Sequence, residues 1–106
     1  MFKIMQGDRF FIPIMLTYTD GTPVSGGDLV DIEVMFGSIR KSLVKGDGDY
    51  KEPVGEFVVD FSQEETFNLP ACRQEIQVRV KSKDGHVIGE TVEMVVVRES
   101  ISKAVI

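Results

Sequence analysis

Between Arg73 and Val97 the chain alternates apolar and polar side chains in two runs, broken at Asp84-Gly85. Alternation at a period of two marks a strand with one buried face. Two such runs around an Asp-Gly break predict a long β-hairpin. On the first strand Ile76, Val78 and Val80 share one face, and Glu75, Gln77, Arg79 and Lys81 the other. On the return strand Ile88, Val92, Met94 and Val96 share the inward face, interrupted by Glu90. A two-residue loop would set Ile76 opposite Glu93 and Val80 opposite Gly89. A three-residue loop, Lys83-Asp84-Gly85, sets Ser82 opposite His86, Val80 opposite Ile88 and Ile76 opposite Val92. The second register places apolar against apolar, and a slip of one residue would turn every side chain over. The expected turn is of type I, with Asp84 and Gly85 at its corner, Gly85 left-handed and a bulge beside it.

The same alternation recurs upstream. Phe2–Met5 reads as a short first strand, and Gln6-Gly7-Asp8 as a break. Arg9–Tyr18 reads as a second strand with Phe10, Ile12, Ile14, Leu16 and Tyr18 on one face. Pro13 lies inside it without an N–H to donate, so one side of this strand is expected to be unpaired there, or to switch partners. Asp20-Gly21 turns the chain into a polar, glycine-rich loop over Thr22–Asp28. Leu29–Phe36 is a strand with Val30, Ile32, Val34 and Phe36 on one side and Asp31 and Glu33 on the other. Ile39–Lys45 is a shorter strand, Gly46–Gly55 an irregular loop, and Glu56–Phe61 a strand with Phe57, Val59 and Phe61 inward. Ser62-Gln63-Glu64-Glu65 has the spacing of a capping box, with Ser62 accepting from the Glu65 amide and Glu65 reaching back. A single helical turn near Ser62–Phe67, ended by Leu69-Pro70, follows from it.

About seven short strands and one helical turn predict an all-β protein, an antiparallel immunoglobulin-like β-sandwich. A small five-stranded barrel is the alternative architecture. Residues 1–99 form the sandwich and residues 100–106 a tail. At 106 residues the chain is one domain, large enough to bury a core without staples. One cysteine and no tryptophan exclude the disulfide and buried Trp of antibody domains, so aliphatic and Phe packing must form the core. Cys72 reads as a small buried or half-buried residue and fits a reducing compartment.

Charge narrows the partners. Twelve basic against 17 acidic residues give a net charge of −5 and leave no basic stripe for nucleic acid. The apolar run Phe10–Leu16 is too short to span a bilayer and lacks a cleavage site after it. No membrane association is expected. Asp47, Asp49 and Glu52 could be imagined as Ca²⁺ ligands, but their spacing departs from the EF-hand loop, and a solvated acidic loop explains them. His86, at the hairpin tip, reads as exposed, with no acidic partner placed for it. Glu64 and Glu65 are explained by capping rather than acid–base work. No nucleophile motif, zinc motif or phosphate loop occurs, so no catalytic residue, metal or cofactor is expected.

One feature exceeds what a sandwich needs. Phe11 and Met15, with Pro13 between them, lie opposite the inward set of their strand, and Val95 and Val97 lie opposite the inward set of theirs. These five residues are the candidate interface. They are read as a subunit contact, as a strand edge covered by the N- or C-terminal segment, or as ordinary scattered apolar surface. The tail ISKAVI is apolar enough to dock on its own sheet or on a neighbour. A ligand- or carbohydrate-binding module using loops 22–28 and 46–55 is the alternative function, although only Tyr50 offers an aromatic platform there.

Three stretches carry a resemblance: QGDRFFIPIMLTYTDGTPV (Gln6–Val24), FVVDFSQEETFNLP (Phe57–Pro70) and IQVRVKSKDGHVIGE (Ile76–Glu90), with the terminal SISKAVI. In this order they resemble the Ig-like N-terminal domain of baseplate upper proteins of phages infecting Gram-positive bacteria, and are similar to small prophage-encoded virion proteins. The resemblance implies a structural module of a tail, baseplate or neck. Its partners would be other virion proteins or further copies of itself, met in the bacterial host cytoplasm during assembly and then in the virion. Baseplate upper proteins continue into a helical, receptor-linking region, so the expectation here is a stand-alone protein or an isolated piece.

Overall fold

A computed structural model describes residues 2–18, 21, 22, 24, 26–46, 48 and 56–106. Along them run β1 (Phe2–Met5), β2 (Phe10–Met15), a 3₁₀ turn (Gly26–Asp28), β3 (Leu29–Phe36), β4 (Ile39–Val44), β5 (Glu56–Phe61), α1 (Gln63–Phe67), β6 (Arg73–Ser82) and β7 (Val87–Arg98). Among the described residues the strands form two sheets, a five-stranded one in the order β1-β7-β6-β3-β4 and a two-stranded ribbon, β2-β5. The order β7-β6-β3-β4 facing β2-β5 corresponds to G-F-C-C′ facing B-E in immunoglobulin sandwiches. The fold is an all-β sandwich rather than a closed barrel. One expectation needs correcting: β1 runs parallel to β7, so the larger sheet is mixed, not purely antiparallel.

Between the sheets lie Ile12, Ile14 and Val59 of the ribbon against Ile32, Val34, Ile76, Val78, Val95 and Val97 of the larger sheet. Three rings do the work of the missing disulfide and tryptophan. Phe10 stacks on Phe61 at 5.0 Å, and Phe36 meets both edge-on, at 5.7 and 5.3 Å. Edge-to-face and offset geometries add attraction beyond area burial.

The chain crosses from one sheet to the other at Gln6-Gly7-Asp8, and α1 fastens that crossing. Gly7 has φ +89°, and a Cβ there would sit 2.4 Å from the Phe67 ring. Its N–H donates to the fully buried Thr66 Oγ1 at 3.0 Å, which donates to the Asp8 carbonyl at 2.8 Å. Gln6 Nε2 donates to the Leu69 carbonyl at 2.7 Å. The capping box forms as its spacing predicts: the Glu65 amide donates to Ser62 Oγ, and the Ser62 amide to Glu65 Oε1. Burial pushes the Glu65 carboxyl up, but the Ser62 amide and the Lys41 ammonium, 2.9 Å away, outweigh it and hold the group below its usual range. Ser62→Ala should cost about 1 kcal/mol in urea unfolding, the usual value of an N-cap.

The hairpin turn is the three-residue one. Gly85 N–H donates to the Ser82 carbonyl at 3.0 Å, Ser82 N–H donates to the His86 carbonyl at 2.9 Å, and Val80 pairs with Ile88. Gly85 has φ +89°, a region that β-branched residues avoid. Gly85→Val should therefore lower stability by about 1–3 kcal/mol, read from the thermal midpoint.

Further from the turn the register departs from strict alternation. Gln77 pairs with Thr91, but Ile76 pairs with Glu93, so the return strand carries one extra residue at Val92. Ile76 faces a bulge there, not Val92 alone. An extra residue reverses the parity of everything beyond it. Val95 and Val97 become the inward pair, at 0% and 2% exposure, and Met94 and Val96 are displaced from the inward face they were expected to share. Ile88, expected inward, is 65% exposed because the hairpin tip projects past the core. In the second strand Phe10, Ile12 and Ile14 turn inward as expected. Tyr18 does not, because β2 ends at Met15 and the chain folds back through hydrogen bonds from Tyr18 N–H to Thr22 and from Val24 N–H to Leu16.

Candidate functional site

Each sheet has one outer face, and the two differ in chemistry. On the larger sheet β6 and β3 set opposite charges side by side, Arg79 against Glu33 and Lys81 against Asp31. Arg40 Nε lies 3.7 Å from the Glu33 carboxylate. Such ladders solvate a face and stabilise it modestly. A shallow concavity of about 880 Å³ opens on this face between Met35, Arg40, Arg73, Glu75, Gln77 and Met94. Polar groups within it partner each other, with Gln77 Nε2 donating to Glu75 at 2.8 Å.

On the ribbon the outward positions are Phe11, Pro13 and Met15 of β2, with Val58 of β5 beside Pro13. Phe11 is 59% exposed, Met15 65% and Val58 59%, and Pro13 is exposed as well. β2 pairs only with β5 among the described residues, so the strand containing Pro13 leaves its other side without a ladder, as the missing N–H requires. At one end the Arg9 guanidinium lies 5.5 Å from the centre of the Phe11 ring and donates to Asp60 at 3.0 Å. The apolar patch thus runs along β2, with Val58 its one apolar member on β5 and the Arg9–Asp60 pair at the Phe11 end.

The structure therefore divides the five candidate interface residues. It brings Phe11, Pro13 and Met15 together on an open face. It removes Val95 and Val97, which the bulge at Val92 turns into the core. Val58 is the member that alternation alone did not single out. It lies opposite the inward Phe57, Val59 and Phe61, and an apolar residue at such a position was the available signal.

Asp84, Gly85, Ser62 and Glu65 have the structural roles their motifs imply. The hairpin tip supplies one correction. His86 does have an acidic partner, since the turn brings Asp84 Oδ2 to 2.8 Å from its Nδ1. The Ser82 hydroxyl and the His86 amide and ring all bond to the Asp84 carboxylate, in that order of effect, and hold its pKa down at about 2. A depressed carboxyl pKa stabilises above its unfolded value, 3.8, and that contribution is lost as pH falls through about 2. An NMR titration should show the His86 amide moving between these limits, with Asp84→Asn abolishing the transition.

Cys72, expected to be buried or half-buried, is exposed, and its Sγ accepts from Gln74 Nε2 at 3.1 Å. The acidic trio Asp47, Asp49 and Glu52 lies outside the described residues, as do Tyr50, Asp20 and most of loop 46–55. No known protein family, curated protein or solved structure matches this chain. No helix among the described residues is long and apolar enough to cross a membrane. What the geometry offers is an exposed apolar face on the ribbon.

Proposed function

We propose that the chain is a structural assembly module of a phage or prophage particle. It works in a tail, baseplate or neck and acts through protein–protein contacts with other virion proteins or with itself. The observation that carries the contact role is the open apolar face of Phe11, Pro13, Met15 and Val58. Nothing in folding asks for it, because the opposite faces of the same strands already supply the core. The virion setting rests on the resemblance of the three sequence stretches. Assembly would take place in the host cytoplasm, and the product would be retained in the virion. Mass spectrometry of particles purified after prophage induction tests the reading. The expected result is the chain present at fixed stoichiometry, with a Phe11→Ser/Met15→Ser variant lost from particles. Its absence from particles, or incorporation of the variant at the normal level, overturns the proposal.

A further inference from the structure

The net charge of −5 conceals a separation. At the outward positions of the larger sheet stand Lys3, Arg40, Arg73, Arg79, Lys81 and Arg98. The acidic residues at outward positions are Asp31, Glu33 and Glu75. Six against three give this face +3, so with −5 overall the rest of the chain carries −8. The six basic residues come from four strands, which is why no basic run shows in the sequence. Asp31 and Glu33 lie toward the hairpin tip, beside Lys81 and Arg79. The opposite end of the face holds Lys3, Arg73 and Arg98, with Glu75 as its one acidic outward residue.

Arg73, Val96 and Lys3 form one row across β6, β7 and β1, and Met5 pairs with Arg98 one step further along. At ordinary strand spacing Lys3 and Arg73 stand about 10 Å apart, on either side of Val96. Met94 is half-buried one step the other way, and Met5 is 43% exposed. The concavity between Arg40 and Arg73 opens onto this corner, with Met94 in its wall. Among the described residues no carboxylate pairs with Lys3 or Arg98. The acidic neighbours serve the backbone: Asp8 accepts from the Met5 amide at 2.8 Å, and Glu93 from the Met94 amide at 3.1 Å. Basic groups set among methionines can bond carboxylates and pack against adaptable apolar side chains at once.

We infer that this corner docks a carboxylate-rich segment of another protein, with Lys3, Arg73 and Arg98 as its charge contacts and Met5, Met94 and Val96 as its apolar ones. Complementary charge selects that occupant. A long polyanion such as nucleic acid fits less well, because the −8 carried elsewhere repels it beyond the corner and Glu75 stands within it. A second copy fits less well too. Its apolar ribbon face would bring Asp60, which is already paired with Arg9. The corner is separate from the ribbon, so the inference does not rest on the function proposed above.

Two-dimensional NMR of the full chain, titrated with a synthetic peptide of alternating glutamate and leucine, tests it. At about 0.01 M salt exposed charges act over about 30 Å, and the amides of Lys3, Arg73, Met94, Val96 and Arg98 should shift while those of Phe11, Met15 and Val58 stay in place. The shifts should vanish at about 1 M salt, where that range falls to about 3 Å. Exposed ion pairs are individually weak, so Arg73→Glu/Arg98→Glu should loosen the peptide about tenfold. Phe11→Ser/Met15→Ser should bind it normally, and both variants should keep the circular dichroism of the parent chain. Equal binding of the glutamine counterpart of the peptide, shifts confined to other faces, or charge reversal without effect overturns the inference. So does tighter binding of oligothymidylate than of the peptide, which would make the corner a polyanion site. A concentration-dependent mass in light scattering that the charge reversal abolishes would overturn it as well, by making the occupant a second copy.

Discussion

Phe36→Ala should lower the unfolding free energy by about 3–5 kcal/mol in urea titration, the usual cost of removing a buried aromatic. Phe36 is fully buried at the end of β3 and touches both Phe10 and Phe61 edge-on. These rings belong to three strands in two sheets, so losing the central one opens a cavity across the sandwich rather than within a sheet. The core has no disulfide or tryptophan to limit the damage. Native domains hold roughly 5–15 kcal/mol in total, so the variant should be partly unfolded at physiological temperature. A loss below 1 kcal/mol would mean that the ring cluster is not the keystone its geometry describes.

Most of the architecture was legible because alternation is a strong signal when only one face of a strand is buried. Leu29–Phe36 and Glu56–Phe61 appear with the predicted bounds, and the capping box at Ser62 and Glu65 closes as its spacing requires. The misreading with the largest consequence has one cause. A bulge changes parity without changing composition, and nothing in ETVEMVVV shows that an extra residue enters at Val92. Counting by twos from the turn is correct through Val92 and wrong for every residue after it. That one residue moved Val95 and Val97 from candidate contact to core. The long runs of valine hid the error, since either parity gives a plausible apolar face. At His86 the failure was different. Its partner lies two residues away, and only the left-handed Gly85 bends the chain enough to bring the ring to Asp84. On the ribbon neither difficulty arose. β2 and β5 pair residue for residue without a shift, so Phe11, Pro13 and Met15 stayed on the face where alternation put them.

Because that face is separate from the core, changing it should cost contact without costing fold. Phe11→Ser/Met15→Ser removes two side chains that are 59% and 65% exposed. The intramolecular loss is chiefly the Arg9 cation–π contact, about 0.5–1 kcal/mol at an exposed site. The thermal midpoint should therefore move by only a few degrees. At an interface the same aromatic would act as an anchor, and truncating such an anchor costs about 2 kcal/mol or more, a weakening of roughly thirtyfold. Sedimentation equilibrium should show the self-association constant falling by at least that factor while circular dichroism stays the same. Val95→Ser should do the reverse. It should lower stability sharply, because Val95 is fully buried, and it should leave the association of the remaining folded molecules unchanged. If the two variants exchanged these phenotypes, with Val95 controlling association and Phe11 controlling stability, the bulge at Val92 would be misplaced and the contact face would belong to the larger sheet.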